Sequence, residues 1–208
     1  MENYIKYFDE FLKEVLKPLL KSEGFKTTGQ HFFIESDEFT KLISIEKSSW
    51  NLKNRISFWF HVSIFDKTLS NEIGEFGHIT KTPHNTVFNI VRTSVKHLGS
   101  RKSDRYTFSK EVSLKKEKER VIDDLVNILI PFCRSINSKK DLLKIYKSPP
   151  RGYIGAGIFL DLAIGFNEID EGNTSEGIKF LKKWTDENQN NQYWSNVVKK
   201  IELRIKEL

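Results

Sequence analysis

From Ile56 to Ile64 the chain reads Ile-Ser-Phe-Trp-Phe-His-Val-Ser-Ile, an alternation with a period of two. Ile56, Phe58, Phe60, Val62 and Ile64 therefore share one face of an extended segment, the pattern of a half-buried antiparallel strand. The opposite face carries Ser57, Trp59, His61 and Ser63, residue types suited to contact a ligand or to lie beneath a helix. Upstream, Ile5, Phe8, Phe11, Leu12, Val15, Leu16, Leu19 and Leu20 recur at spacings of three and four, which predicts an amphipathic helix over residues 3–22 with Gly24 at its end. Pro18 lies inside that helix, where it deletes a hydrogen bond and disfavours a helical Lys17, so a kink or a break is expected. Extended segments are predicted over 25–35, 39–49 and 55–65, joined by the short polar connections Ser36-Asp37-Glu38 and 51–54.

Residues 66–83 hold Gly74, Gly77 and Pro83 and read as a loop with local turns. Two further strands are expected over 86–91 and 105–112, with Gly99 at a turn between them. A long helix follows over 114–135, with Val121, Leu125, Ile128, Leu129 and Phe132 on its apolar side and a kink expected at Pro131. A short helix over 141–146 precedes Ser148-Pro149-Pro150, the best linker in the chain. Beyond it the period is helical: 153–169, 175–187 and 193–208, with a turn at Gly172-Asn173-Thr174. The run Ala163, Phe166, Gly172, Gly177, Phe180, Leu181 and Trp184 is similar to one hairpin of a tetratricopeptide-type repeat. One copy cannot bury a continuous core, so a helical hairpin packed on the preceding sheet is expected.

The pattern thus predicts an α+β fold: an antiparallel sheet of four to five strands packed by helices, as a domain over 1–148, with a C-terminal helical extension over 149–208. Composition agrees with a folded chain of 208 residues, since 16 Phe, 6 Tyr and 4 Trp supply large apolar side chains despite 30% charged residues. The acidic N-terminal stretch reads as neither signal peptide nor anchor, and no run approaches the roughly 20 apolar residues that span a bilayer. A single cysteine, Cys133, precludes an internal disulfide and fits a reducing cytoplasm.

Charge becomes informative when it is located. Residues 81–110 carry Lys81, Arg92, Lys96, Arg101, Lys102, Arg105 and Lys110 against Asp104 alone, an excess equal to the +6 of the whole chain. Such a focused segment attracts nucleic acid, anionic lipid headgroups or an acidic protein surface, and it can equally be a solvated loop.

A family resemblance rests on residues at several points. Leu20-Lys21-Ser22-Glu23-Gly24-Phe25-Lys26, Phe32-Phe33, Lys47-Ser48-Ser49-Trp50-Asn51, the strand from Ile56, Leu98-Gly99, Asp104-Arg105-Tyr106 and the helix ending in Pro131-Phe132 together resemble a bacterial family known as domain of unknown function 4304, over residues 1–146. The resemblance implies structural roles only: Gly24 turns the chain out of a helix, Phe25 enters the core and Trp50 closes a strand end.

Three constellations bear on chemistry. His61-Val62-Ser63 and His78-Ile79-Thr80 resemble the paired motifs of two-histidine phosphoesterases, in which one imidazole is base and the other acid. Their separation is much shorter than in those enzymes, and a partly buried His61 with a loop His78 is expected instead. The histidines, Cys133, Asp66 and Glu75 show no paired ligand spacing, so no metal site and no cofactor are expected. Gly152, Gly155 and Gly157 lack the strand and the Lys-Ser/Thr of a phosphate loop. Phe88, Tyr106 and Phe108 beside the basic segment would suit single-stranded nucleic acid, and strand alternation explains the same rings as core.

The function expected from the residues is therefore that of a non-enzymatic cytoplasmic binding module, an immunity or antitoxin-like factor with an acidic protein partner. Its binding residues would be Trp59, His61, Arg92, Lys96, Arg101, Lys102 and Arg105. The alternatives are a phosphoesterase using His61 and His78, and a nucleic-acid-binding protein acting through residues 81–110.

Overall fold

The computed structural model describes residues 2–73, 89–148 and 159–208. The expected first helix forms as α1 (Tyr4–Phe11), a π-helical turn (Leu12–Leu16) and α2 (Lys17–Ser22). Asn3 caps it, its side chain accepting the Lys6 N–H. In place of a break at Pro18, the widened turn carries the helix through: the Lys17 N–H donates to the Leu12 carbonyl five residues back, and the proline enters the first turn of α2, where its missing N–H costs little. The same device recurs at Pro131, where Leu125–Leu129 is π-helical between α5 (Leu114–Asp124) and α6 (Ile130–Arg134), and the Ile130 N–H reaches the Leu125 carbonyl. Gly24 ends α2 at φ +88°, with its N–H on Lys21 and that of Phe25 on Leu20, a backbone geometry that a side chain would strain.

The antiparallel sheet has six strands: β1 (Lys26–Thr28), β2 (His31–Glu35), β3 (Phe39–Lys47), β4 (Arg55–Asp66), β5 (Asn89–Thr93) and β6 (Arg105–Ser109). Their order is β1-β2-β3-β4-β5, with β6 also on β4. The extra strand arises because the expected segment 25–35 folds on itself at Gly29-Gln30, with Thr28 opposite His31. The remaining helices are α3 (Lys67–Ile73), α4 (Val95–Leu98), α7 (Lys139–Lys147), α8 (Leu160–Asp170), α9 (Thr174–Asn188) and α10 (Ser195–Glu207). The loop expected over 66–83 is thus corrected at its start: Asp66 caps α3 by accepting the Leu69 N–H at 2.9 Å, and Leu69 and Ile73 are buried four residues apart. Phe88, Pro149, Pro150 and Tyr153, with the signals read around them, lie outside the described residues.

The chain forms two compact units. The first takes Met1–Glu35, Lys41–Ser63 and Thr93–Ser135; the second takes Ser36–Thr40, Ile64–Arg92 and Ile136–Leu208. In the first unit, the inward alternation of β4 is as expected: Ile56, Phe58, Phe60 and Val62 are buried with Ile43 and Ile45, Tyr106 and Phe108 of β6, and Phe8, Leu16, Leu20, Val121, Leu125 and Leu129 from the helices. Burying such side chains is worth about 1.5–3 kcal/mol each. Cys133 belongs to this core, where burial pushes its thiol up to about 12 against the opposing charge of Lys41. It packs as a small apolar side chain and not as a thiolate.

In the second unit, α8 and α9 form the expected hairpin around the Gly172 turn, and Phe159 stacks on Trp184 at 6.1 Å between ring centres. The two helices approach closely through Gly165 and Gly177, since a Cβ on Gly177 would stand 2.6 Å from the Gly165 carbonyl oxygen and 2.5 Å from the Ile169 side chain. Gly177→Ala is accordingly expected to destabilise by about 1–3 kcal/mol, the overpacking outweighing the gain in helix propensity. A lower urea midpoint at unchanged slope is the measurement that checks it.

Candidate binding face

The loop between β3 and β4 is held by hydrogen bonds that leave its large side chains outside. Asn51 pairs with the backbone of Ser57 in both directions, accepting the Ser57 N–H at 2.7 Å and donating to the Ser57 carbonyl at 3.0 Å, so its amide extends the ladder. Leu52 and Arg55 exchange N–H···O bonds of 2.9 and 3.0 Å across a tight turn. With the backbone so fixed, Trp50 is 89% exposed and Leu52 65% exposed. Trp50 therefore does not close a strand end by packing inward, as the family resemblance implied. An exposed indole on a rigid loop is unusual for a residue type that carries so much apolar surface.

Beneath the loop lies a cleft of about 530 Å³ lined by Trp50, Leu52, Asn54, Arg55, Arg105 and Glu111, with Asn51 and Ser57 at its base. The Ser109 hydroxyl, the Glu111 backbone and then the Arg55 and Lys110 cations hold the exposed Glu111 carboxyl below the usual carboxylate range. Arg105 reaches the cleft because β6 pairs with β4 in the register Arg55↔Ser109, Ser57↔Thr107, Trp59↔Arg105. Directly opposed residues share a face, so Trp59 and Arg105 stand side by side. The Ser57 and Thr107 hydroxyls meet at 3.1 Å on the same face.

Trp59 and His61 are half-buried on this second face of β4 and meet Glu46 of β3. The Trp59 indole N–H points at His61 Nε2 at 2.6 Å and at Glu46 Oε2 at 3.2 Å, and His61 Nε2 lies 3.2 Å from the same carboxylate oxygen. The indole can only donate. With the His61 proton on Nδ1, its Nε2 accepts from the Trp59 indole. The cluster is thus a small hydrogen-bonded set that fixes both rings. His78, the other half of the phosphoesterase pair, lies outside the described residues.

The cations singled out in the sequence divide. Lys81 is outside the described residues; Arg92 is exposed on β5; Lys96 is exposed on α4 and Lys102 on the loop after it. Arg101 is engaged in structure: its guanidinium bonds Asp123, and its Nε donates at 2.6 Å to Asp124, which is fully buried and also accepts the Tyr106 hydroxyl at 2.8 Å. Removing Arg101 leaves a buried carboxylate with one fewer donor, so Arg101→Ser is expected to lower the melting temperature and is a poor probe of binding. Arg105 is the cation of the set that lines the cleft. Tyr106 and Phe108, the rings proposed to stack on bases, are buried in the core at 0% exposure. The sequence pattern did not single out Arg55 or Leu52 and gave Trp50 a structural role only. The signal was present as a tryptophan and a leucine inside a short polar connection, where neither has a strand face to occupy.

Among the described residues no cluster of three or more His, Cys, Asp or Glu could hold a metal ion, and no helix is long and apolar enough to cross a membrane. A helix-packed antiparallel sheet with an aromatic and cationic cleft at one hairpin defines an α+β protein. Residues 16–135 match the domain of unknown function 4304 family, more than half of the 208 residues, and the chain belongs to that bacterial family. No curated protein and no solved structure matches the chain.

Proposed function

We propose that the chain is a non-enzymatic binding module of the bacterial cytoplasm that takes an acidic segment of a protein partner in the cleft beneath Trp50, as an immunity or antitoxin-like factor would. The observation that carries this reading is the exposure of Trp50 and Leu52 on a hydrogen-bonded loop directly beside Arg55 and Arg105. Trp and Arg are the residue types that dominate binding hot spots, and a fixed loop presents them with little entropy to lose. Lys53, Arg55, Arg105 and Lys110 are exposed here against Glu111, so the charge complement is acidic. A ladder of exposed rings, which single-stranded nucleic acid would need, is not offered by Tyr106 and Phe108. The buried, protonated Cys133 thiol is in keeping with a reducing compartment.

The test is capture from a bacterial lysate with and without nuclease, followed by titration of the captured protein. Trp50→Ala is expected to weaken that complex more than about tenfold while changing stability by less than about 0.5 kcal/mol. Arg55→Ser with Arg105→Ser should slow association and flatten its salt dependence. A captured set that survives all three substitutions removes this cleft as the binding site, and one that disappears with nuclease makes the ligand a nucleic acid.

A further inference from the structure

The outer edge of β6 is closed by side chains in an unusual way. Among the described residues β6 pairs with β4 alone, and Ser57↔Thr107 is a pair whose side chains meet, so the odd-numbered backbone groups of β6 point away from β4. There the Thr107 N–H donates to Glu117 Oε1 at 2.8 Å, and the Arg105 carbonyl accepts from Arg120 Nη2 at 2.7 Å. One carboxylate and one guanidinium of α5 thus occupy the places that the carbonyl and N–H of a further strand would take. Arg120 is itself held by Glu117 through bonds of 3.0 and 2.7 Å and lies 4.4 Å from the Tyr106 ring centre.

We propose that this edge is a self-association site whose occupant is β6 of a second copy of the chain, and that the Glu117–Arg120 pair keeps it closed. The argument for that occupant is the strand's own sequence. Asp104-Arg105-Tyr106-Thr107-Phe108-Ser109-Lys110 is complementary to itself in antiparallel register about Thr107. Asp104 then opposes Lys110, Arg105 opposes Ser109, Tyr106 opposes Phe108, and Thr107 meets Thr107. Opposite charges, an aromatic pair and a threonine pair are all favourable cross-strand neighbours, and no like charges face one another. The Thr107 N–H and the Arg105 carbonyl already point outward, so the second copy displaces the two side chains there and, at the strand ends, takes the Arg105 N–H from the Ser103 hydroxyl and the Ser109 carbonyl from the Val112 N–H. An edge with matched pairing and a removable cover is a template for a two-fold dimer. The edge adjoins the proposed cleft, using the Arg105 carbonyl where the cleft uses its side chain, and the test reads mass without a partner and leaves Trp50, Arg55 and Arg105 in place.

The experiment is sedimentation velocity on the full chain. Glu117→Ala with Arg120→Ala is expected to double the sedimenting mass, while the unsubstituted chain remains monomeric. Glu117→Ala alone, which leaves Arg120 over the Tyr106 ring, should give the same doubling at higher concentration and guards against loss of folding in the double variant. Adding Thr107→Pro removes the central N–H at an outward edge position that tolerates proline, and should return the mass to that of one chain. Lys110→Asp, which faces Asp104 with a like charge, should do the same. Folded Glu117 variants that stay monomeric, or dimers that persist with Thr107→Pro and Lys110→Asp, would overturn the proposal.

Discussion

Phe58→Ala is expected to lower the unfolding free energy by about 3–5 kcal/mol, read as a shift of the denaturant midpoint. Phe58 has no exposed surface and its ring lies between 4.7 and 5.4 Å, centre to centre, from those of Phe8, Tyr106 and Phe108, with Phe60 at 6.2 Å. Truncation therefore removes one ring from contact with four others, in a place where a strand of the sheet is flanked by α1 and β6. The surrounding backbone is held by ladder and helix hydrogen bonds, so the cavity cannot close. Phe60→Ala, also without exposed surface, belongs to the same class with fewer ring neighbours. Retention of stability by Phe58→Ala would remove the core described for the first unit.

Asp66→Ala is the second large effect, about 3–5 kcal/mol, and its cause is polar. The Asp66 side chain is buried, accepts the Leu69 N–H at 2.9 Å, the Tyr146 hydroxyl at 2.7 Å and the Asn167 amide at 3.0 Å, and thereby ties the start of α3 to α7 and α8. Alanine removes the acceptor shared by those three donors, leaving Asn167 its bond to the Ala163 carbonyl, and each lost buried hydrogen bond costs about 1–3 kcal/mol if water does not replace it. Burial raises the pKa of this carboxyl above its ordinary value, opposed by the hydrogen bonds from Leu69, Tyr146 and Asn167 and by the charge of Lys139. A raised carboxyl pKa favours the folded state most when the group is protonated. The stability difference between the unsubstituted chain and Asp66→Ala should therefore be largest at acid pH and narrow as the pH rises through the folded-state pKa. Parallel urea titrations from acid to neutral pH measure it, and a difference that widens with pH would reverse the assigned direction.

Much of the fold was legible because it is written in local periodicity. The alternation in β4 placed Ile56, Phe58, Phe60 and Val62 inward, and the three-and-four spacing from Ile5 to Leu20 placed the first helix. Gly24 and Gly172 marked the ends of helices because only a residue without Cβ enters their positive φ freely. The same local reading passed over α3, since Lys67-Thr68-Leu69-Ser70-Asn71-Glu72-Ile73 is short and mostly polar, and its identity depends on the Asp66 cap and on Leu69 and Ile73 finding a place to be buried.

What the sequence determined by itself was the class of object: an α+β, helix-packed antiparallel sheet of the domain of unknown function 4304 family, with an excess of cations between residues 81 and 110. What the tertiary structure alone decided was which of those groups are engaged and which face solvent. Arg101 and Arg105 lie four positions apart in one basic run, yet Arg101 is bound to Asp123 and Asp124 of α5, while β-sheet register sets Arg105 beside Trp59 at the cleft. Residues on both sides of Pro149 likewise share the second unit, which draws together 64–92 and 136–208. Periodicity records only which neighbours along the chain share a face. Ion pairs, exposure and strand register arise between segments distant in sequence, and they exist only once the chain has closed on itself.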